Sequence, residues 1–313
     1  MTTKYVHLGV HSEYSLTDSV VRIRDLVSTC VKKKFSAVAL TDKNNVFAAP
    51  KFCREAENYG IKPIVGAEIL VKSNAPTVDM YVCVFYCLNR EGFTNLSKIL
   101  TIVNQSPTSR TEKAYIDENI LLHQSLDGLI LASGGIEGDI GKLLLTKNFE
   151  RAKEKAIFWH GLLPRRYFIQ ITRINALQEE NYLMELKRLS SQVELALLPT
   201  NDVRFLDSSQ YEAHEARVCI QKGGLLGAKE KSGYSKEQYL KDEDEMFQLF
   251  EDLPSASQNT VDLAIRCNLS FDTDGYSLPH YSVASGSVES EIKQIAEEGL
   301  IKRKAVINAS SEN

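Results

Sequence analysis

Tyr5-Val6-His7-Leu8-Gly9-Val10-His11, close to the start of the 313-residue chain, is an apolar segment that predicts a β-strand. Residues 20–34 predict a helix, because Leu26, Val27 and Cys30 recur on one side at helical spacing. A second apolar strand is predicted over residues 37–41. A strand, a helix and a strand in this order indicate a parallel pair joined by a crossover helix.

The same strand-then-helix pattern repeats about seven times along the chain, which predicts a mostly parallel sheet covered by helices. An α/β barrel is the natural closure at this length, and a doubly wound open sheet is the alternative. The further strands are predicted over residues 61–71, 80–87, 128–132, 167–171 and 195–199, and the further helices over 46–58, 95–104, 139–145, 150–161, 179–193 and 208–221.

The repeating pattern stops at Tyr234, which indicates a change in organisation. Residues 243–250 and 256–267 predict two helices, and residues 273–288 are rich in Ser, Gly and Pro, as a linker is. A last helix is predicted over residues 289–303, followed by a polar tail. We therefore expect one domain over residues 1–272 and a separate segment over 273–313.

The charge balance and the apolar runs exclude several classes of protein. With 37 Lys and Arg against 41 Asp and Glu, the net charge of −4 argues against nucleic-acid binding by the whole surface, although a local basic patch is still allowed. No apolar run reaches the roughly 18 residues of a membrane span, and the N-terminus lacks a secretory signal. The six cysteines form no CxxC pair. We expect a cytoplasmic protein with reduced thiols and no membrane partner.

Polar side chains follow the predicted strands at their carboxyl ends, where α/β folds place their active sites. A single Asp after a strand is more often a helix N-cap than a ligand, so only their convergence favours a site. His7 and His11 share a predicted strand face with Tyr5 and Gly9, but about 13 Å separates the two histidines, too far to chelate one ion. The residues at the strand ends are His11 and Asp18, then Asp42 and Lys43, then Glu68, Gly134 and Gly135, and finally Asp202 and Arg204.

The sequence around these strand ends closely resembles the PHP (polymerase and histidinol phosphatase) domain at the N-terminus of the bacterial replicative polymerases, the DNA polymerase III alpha subunits. The resemblance runs from about residue 4 to about residue 300. It implies a distorted seven-stranded α/β barrel followed by a short helical extension, a PHP domain over residues 1–272, and a linker with the start of a truncated palm domain over 273–313. The matching blocks cover residues 6–15, 39–42, 60–68, 128–135, 200–205, 214–218 and 259–264.

Active members of this family hold a trinuclear metal site for phosphoester hydrolysis, and the resemblance allows its ligands to be traced one position at a time. His11, Asp18, Glu68 and Asp202 keep a ligand-type residue. Gly9, Lys43, Gly135 and Arg204 stand where the family has His or Cys ligands, Asp42 completes the Thr-Asp motif, and a further family His falls near Tyr81 and Val82.

Five ligand positions are therefore lost, and an arginine cannot deprotonate to become a ligand. We hypothesise that Lys43 and Arg204 compensate Asp18, Glu68 and Asp202 by direct ion pairs, because an uncompensated buried carboxylate cluster is costly. No catalytic residue, cofactor or metal ion is expected in this chain. If an ion binds at all, the candidate ligands are His11, Asp18, Glu68 and Asp202.

The resemblance implies a structural role and the docking of the proofreading exonuclease, the epsilon subunit. The chain is expected to be a fragment of a DNA-directed DNA polymerase that uses Mg²⁺ and reaches DNA and the other replicase subunits through its missing domains. The alternative is an active metal-dependent phosphoesterase, either a 3′–5′ exonuclease or a pyrophosphatase. A free-standing enzyme similar to histidinol phosphatase would need the same lost ligands.

Overall fold

The computed structural model describes residues 3–75, 77–106, 113–224, 233–271, 281–283 and 286–311. It divides into two compact units, Met1–Phe271 and Asp272–Asn313. The first unit contains the sheet and all the residues of the predicted site. The assignment of the second unit to the start of a palm domain stays a prediction.

A curled sheet of seven strands forms the centre of the first unit, with the order β1-β2-β3-β5-β6-β7 and with β4 paired to β2. The predicted fold class, an α/β barrel of distorted form with helices after it, is confirmed. The strands are β1 (Ala37–Lys43), β2 (Lys62–Lys72), β3 (Met80–Cys87), β4 (Ile116–Asp117), β5 (Leu129–Ser133), β6 (Tyr167–Ile171) and β7 (Leu197–Pro199).

The sheet is less parallel than the sequence pattern predicts, because β3 runs antiparallel to both β2 and β5. The connection from β2 to β3, residues 73–79, is too short for the crossover that a parallel pair needs. The other pairs, including β1 with β2 and β5 with β6, are parallel. One reversed strand therefore distorts the barrel.

The segment 5–11 lies between the two ends of the sheet and joins them. His7 O and Val10 O accept hydrogen bonds from Ala39 N and Thr41 N of β1, both at 2.8 Å. On the other side, the Gly9 carbonyl accepts from Val203 N at 2.8 Å. The predicted regular strand over residues 5–11 is wrong, because the segment makes isolated bridges to two neighbours in turn.

The same change of neighbour corrects the prediction that Tyr5, His7, Gly9 and His11 share one face. His7 packs edge-on against Tyr5 and Phe35 in the outer layer, whereas His11 lies at the mouth of the barrel beside Glu68. Val6 and Leu8 belong to the apolar interior of the sheet, but Val10 belongs to the outer core. Strict alternation therefore ends near Gly9.

The apolar core has two layers, one inside the curled sheet and one between the sheet and its helices. The helices of the first unit are α1 (Ile23–Lys32), α2 (Ala49–Asn58), α3 (Arg90–Gln105), α4 (Glu118–Leu122), α5 (Asp139–Leu145), α6 (Phe149–Leu162), α7 (Glu179–Ser190), α8 (Tyr211–Lys222), α9 (Glu243–Leu249) and α10 (Pro254–Arg266).

The second unit contains α11 (Val288–Ser311), which extends beyond the predicted end at residue 303 into the predicted polar tail. Most of the linker predicted over residues 273–288 lies outside the described residues. Among the residues that the structure describes, none of the helices combines the length and the apolar character that a membrane crossing requires.

Candidate functional site

Six charged or polar side chains meet at the mouth of the barrel, and we call them the mouth cluster: His11, Asp18, Lys43, Glu68, Asp202 and Arg204. Segment 5–11 ends at the first of them, and β1 ends at Lys43. Glu68 lies on β2, opposite Lys43 in the parallel register of the two strands. The convergence predicted from the strand ends therefore brings six of the nine predicted site positions together.

Arg204 lies at the centre of the mouth cluster and is only 3% exposed. Its Nη1 lies 3.0 Å from Asp18 Oδ1, and its Nη2 lies 2.6 Å from Asp202 Oδ1. The same Nη2 is 3.8 Å from Glu68 Oε2. One guanidinium group thus contacts all three carboxylates at the mouth.

Lys43 supplies the second cation from the opposite side of the cluster. Its Nζ forms an ion pair with Asp18 Oδ2 and lies 3.6 Å from Glu68 Oε1. Asp18 is therefore held between Lys43 on one oxygen and Arg204 on the other. The direct ion pairs that were hypothesised for these residues are present in the structure.

His11 completes the mouth cluster and is almost fully buried. Its Nε2 lies 3.3 Å from Asp202 Oδ1 and 3.5 Å from Glu68 Oε2. Its Nδ1 lies 3.3 Å from the Ser15 hydroxyl. The imidazole therefore faces two carboxylates on one side and the loop after segment 5–11 on the other.

The cations determine the protonation of the carboxylates. Burial alone would raise the pKa of Asp18, but Arg204 and Lys43 hold it well below its ordinary value. The pKa of Asp202 is lowered in the same way, against its burial, by Arg204 and His11. Burial lowers the pKa of Arg204, but Asp18 and Asp202 raise it well above its ordinary value. These three residues are therefore charged together at neutral pH.

Asp42 lies outside the mouth cluster, although the sequence places it beside Lys43. Its Oδ1 accepts from Ser12 N at 2.6 Å and from the Ser15 hydroxyl at 2.7 Å, and its Oδ2 accepts from the Ser12 hydroxyl at 2.7 Å. Its carboxylate is thus used to fix the turn over residues 12–15. The position of His11 therefore depends on this turn.

Gly9 and Gly135 bring no side chain to the mouth. A Cβ at Gly9 would lie 3.4 Å from Thr200 Cβ, so a small side chain would fit there. Gly135 has a φ of +60°, a conformation that L residues rarely adopt. A ligand residue at that position would therefore need a different local backbone.

Three residues of the site were missed in the sequence. The Tyr234 hydroxyl donates to Asp18 Oδ2 at 2.6 Å, and Gln238 Nε2 donates to Asp202 Oδ2 at 2.6 Å. His214 Nε2 lies 2.9 Å from the Asp18 carbonyl. Tyr234 and Gln238 follow the end of the repeating pattern and belong to no motif, so no local signal marks them. His214 lies in a block that resembles the family, but the resemblance gives it no role at the site.

The residues present do not fit the multinuclear metal centre that the fold family implies. The donor atoms of His11, Glu68 and Asp202 lie within 4.8 Å of one another, which is a possible set of ligands for one ion. However, Arg204 and Lys43 already contact the carboxylate oxygens of Asp18, Glu68 and Asp202. Neither cation can itself coordinate a metal while it is protonated.

The chain is similar to several known proteins. The family description "PHP domain" matches residues 7–174. The DNA polymerase III subunit alpha of Haemophilus influenzae is 33% identical over 301 residues, and that of Escherichia coli strain K12 is 36% identical over 305 residues. These matches cover 96% and 97% of this chain and 26% of each relative. The chain thus spans about a quarter of the length of these curated relatives.

Among solved structures, the chain matches a two-domain protein from Bacteroides vulgatus that contains a predicted PHP-like metal-dependent phosphoesterase. It is 12% identical, with a TM-score of 0.38, over 85% of this chain and 70% of that one.

Proposed function

The chain belongs to the PHP domain family and is homologous to the N-terminal region of DNA polymerase III alpha, and from this premise we propose that it is a non-catalytic PHP domain. In this proposal it forms a structural part of a bacterial replicative polymerase in the cytoplasm. It also docks the proofreading exonuclease, the epsilon subunit, as the family resemblance implies. Proofreading would then be supplied by the partner.

One observation carries the proposal: the guanidinium of Arg204 lies between Asp18 and Asp202. The family resemblance implies metal ligands at these positions. A metal-dependent phosphoesterase needs ions that polarise the phosphoryl group and activate water. Here the three carboxylates already contact two protein cations, Arg204 and Lys43. The mouth cluster is therefore better suited to stabilising the barrel than to hydrolysing a phosphoester.

The activity of the whole polymerase belongs to the same proposal. Nucleotidyl transfer requires paired metal-binding carboxylates. In the family these lie in a palm domain, which binds Mg²⁺ and follows the PHP domain in the chain. The grip on duplex DNA and the contacts with other replicase subunits are likewise assigned mostly to those further domains.

A second candidate function is an active phosphoesterase, a 3′–5′ exonuclease or a pyrophosphatase. The observation in its favour is the set of donor atoms from His11, Glu68 and Asp202, which lie within 4.8 Å of one another. A single ion at that place would have to displace the contacts of Arg204 with Asp202 and Glu68.

Hydrolysis assays separate the two candidates. We expect no turnover of p-nitrophenyl phosphate or pyrophosphate with added Mn²⁺ beyond that of a Glu68→Gln variant. A Glu154→Gln variant, which changes an exposed carboxylate on α6 outside the mouth cluster, is the matched control. Mn²⁺-dependent turnover that Glu68→Gln abolishes and Glu154→Gln keeps would establish the phosphoesterase instead.

Docking is tested with the purified chain and the cognate exonuclease subunit. We expect the two proteins to co-elute in size-exclusion chromatography as a complex with one copy of each. Separate elution at concentrations of tens of micromolar would reject the docking role, and would leave the metal-free structural role to be tested by itself.

A further inference from the structure

A cleft on the outer surface lies between the first turns of α1 and α2, away from the mouth cluster. It encloses about 420 Å³ and is lined by Arg24, Phe47, Pro50, Lys51, Arg54 and Glu55. We call it the α1–α2 cleft. All of these residues belong to the described part of the chain.

The sequence around α2 builds one wall of this cleft. Phe47, Pro50, Lys51 and Arg54 recur at a spacing of three and four residues, so they share one face at the start of the helix. The opposite face of α2 is buried through Phe52, Cys53 and Ala56. Arg24 adds the second wall from α1.

The α1–α2 cleft combines an exposed aromatic ring with positive charge. Phe47 is 65% exposed, which is unusual for a phenylalanine on a helical protein surface. Arg24, Lys51 and Arg54 form no ion pair with another described residue, while Glu55 is the one carboxylate among the lining residues. Lys51 Nζ lies 5.6 Å from the centre of the Tyr14 ring, which orients it.

We propose that the α1–α2 cleft binds single-stranded DNA, with a base stacked on Phe47 and phosphates at Arg24, Lys51 and Arg54. An aromatic ring flanked by cations is the combination by which proteins hold single strands without sequence preference. The net charge of −4 excluded only general nucleic-acid binding, and a local patch of this kind is compatible with it. This proposal is independent of the docking of the exonuclease.

An acidic peptide is the other occupant that positive charge would suit. Acidic peptides are bound by clusters of arginines, whereas single-stranded nucleic acids also need an aromatic ring on which a base stacks. The α1–α2 cleft is lined by side chains of the two helices and by Phe47, which precedes α2, and it offers a flat ring with three cations. These features favour a nucleotide base and its phosphates.

The test is fluorescence anisotropy of a labelled oligo(dT) 12-mer titrated with the 313-residue chain at several salt concentrations. Three phosphate contacts predict a slope of log K against log salt of about −2. The Arg54→Ala variant should reduce this slope by about 0.7, because it removes one contact. The Phe47→Ala variant should weaken binding about fivefold or more and leave the slope unchanged.

Matched controls are Lys98→Ala on α3 and Phe158→Ala on α6, which change an exposed cation and a partly exposed ring elsewhere. Both should bind oligo(dT) as the unchanged chain does. All the substituted side chains are at the surface, and circular dichroism checks that each variant is folded.

The proposal is overturned if oligo(dT) does not bind at 50 mM salt, or if Phe47→Ala binds as tightly as the unchanged chain. It is also overturned if Lys98→Ala lowers affinity as much as Arg54→Ala, since binding would then be spread over the surface. A polyglutamate peptide that binds more tightly than oligo(dT), and depends on Phe47 and Arg54, would assign the cleft to an acidic peptide.

Discussion

The barrel mouth and the layer beneath α6 both bury carboxylates, but they compensate them in different ways. In the mouth cluster, Arg204 and Lys43 form ion pairs with acids at positions where the family resemblance implies metal ligands. Beneath α6, a second group buries Glu118 and Asp139 with only one lysine. We call it the α6 cluster: Tyr81, Glu118, Asp139, Lys155 and Trp159.

The two acids of the α6 cluster have different partners. Glu118 forms an ion pair with Lys155 and accepts a hydrogen bond from the Tyr81 hydroxyl at 3.0 Å. Asp139 accepts from Trp159 Nε1 at 2.7 Å and from Ile140 N at 2.8 Å. It forms no ion pair with a residue that the structure describes.

As a consequence, the pKa values of two buried carboxyl groups, Asp139 and Asp18, shift in opposite directions. Burial raises the pKa of Asp139, and the Trp159 hydrogen bond, the charge of Lys155 and the Ile140 hydrogen bond only partly offset this effect. In the mouth cluster the adjacent cations outweigh burial, so the pKa of Asp18 falls. A cation in direct contact with the carboxylate, as Arg204 and Lys43 are with Asp18, therefore decides whether a buried acid is stabilised in its charged form.

The largest effect is expected from the Arg204→Ala variant, which removes the central cation of the mouth cluster. It leaves Asp18, Glu68 and Asp202 against Lys43 alone, and breaking a buried ion pair costs about 3–5 kcal/mol in the free energy of unfolding. Urea unfolding measures this loss. A variant that also carries Asp18→Asn and Asp202→Asn should recover part of it.

A loss below about 1 kcal/mol for Arg204→Ala would contradict the role of Arg204 as a replacement for metal ions. Little or no recovery in the combined variant would show that packing of the guanidinium, and not its charge, stabilises the mouth.

A smaller effect is expected from Lys155→Met in the α6 cluster. Glu118 would keep the hydrogen bonds from Tyr81 and from Asn74 N, so we expect a loss of about 1–3 kcal/mol. Urea unfolding under the same conditions allows direct comparison with Arg204→Ala. A loss equal to or greater than that of Arg204→Ala would remove the distinction between the two clusters.

The two clusters should also differ in how their stability depends on pH. Because the folded pKa values of Asp18 and Asp202 lie below their ordinary 3.8, their contribution is present above that pH and is lost as the pH falls further. The raised pKa of Asp139 makes its contribution to stability depend on pH in the opposite direction. Its contribution is complete below pH 3.8 and is lost as the pH rises through its folded pKa.

Unfolding free energies measured from pH 7 down to well below pH 3.8 check both signs. The double variant Asp18→Asn with Asp202→Asn should flatten the loss of stability in acid. Asp139→Asn should instead gain stability relative to the unchanged chain as the pH rises. The same pH dependence in both variants would contradict the assignment of the two shifts.

The smallest effect is expected at the surface. Lys4 Nζ lies 3.1 Å from Asp244 Oδ1, with side chains 53% and 75% exposed. Solvent and salt screen such a pair, so Asp244→Asn should change the free energy of unfolding by less than about 1 kcal/mol. A loss as large as that of Arg204→Ala would show that the variants report general fragility and not the burial of the charges.

Much of the fold could be predicted because apolar runs and helical spacing are local signals. The strands over residues 80–87 and 167–171 and the helix over 139–145 have the predicted limits. The direction of β3 was missed because the sequence pattern gives no strand order. The sequence predicts a regular strand over residues 5–11, because the two neighbours that interrupt it lie far away in sequence and give no local signal.

The mouth cluster could be predicted as a set because each member follows a strand or belongs to a block that resembles the family. Asp42 shows the limit of that reasoning, since its neighbours Ser12 and Ser15 engage it completely as a structural acceptor. Tyr234 and Gln238 contact Asp18 and Asp202 from a segment without a motif. Contacts between such distant positions depend on the folded chain and leave no pattern in the sequence.

The central proposal is that Arg204 and Lys43 take the place of metal ions at the barrel mouth. Its most direct test is the metal content of the full chain, purified without chelators and measured by inductively coupled plasma mass spectrometry. We expect fewer than one tightly bound zinc, manganese or iron ion for each chain. Two or more such ions in each chain would contradict the proposal and would establish a metal centre at the mouth.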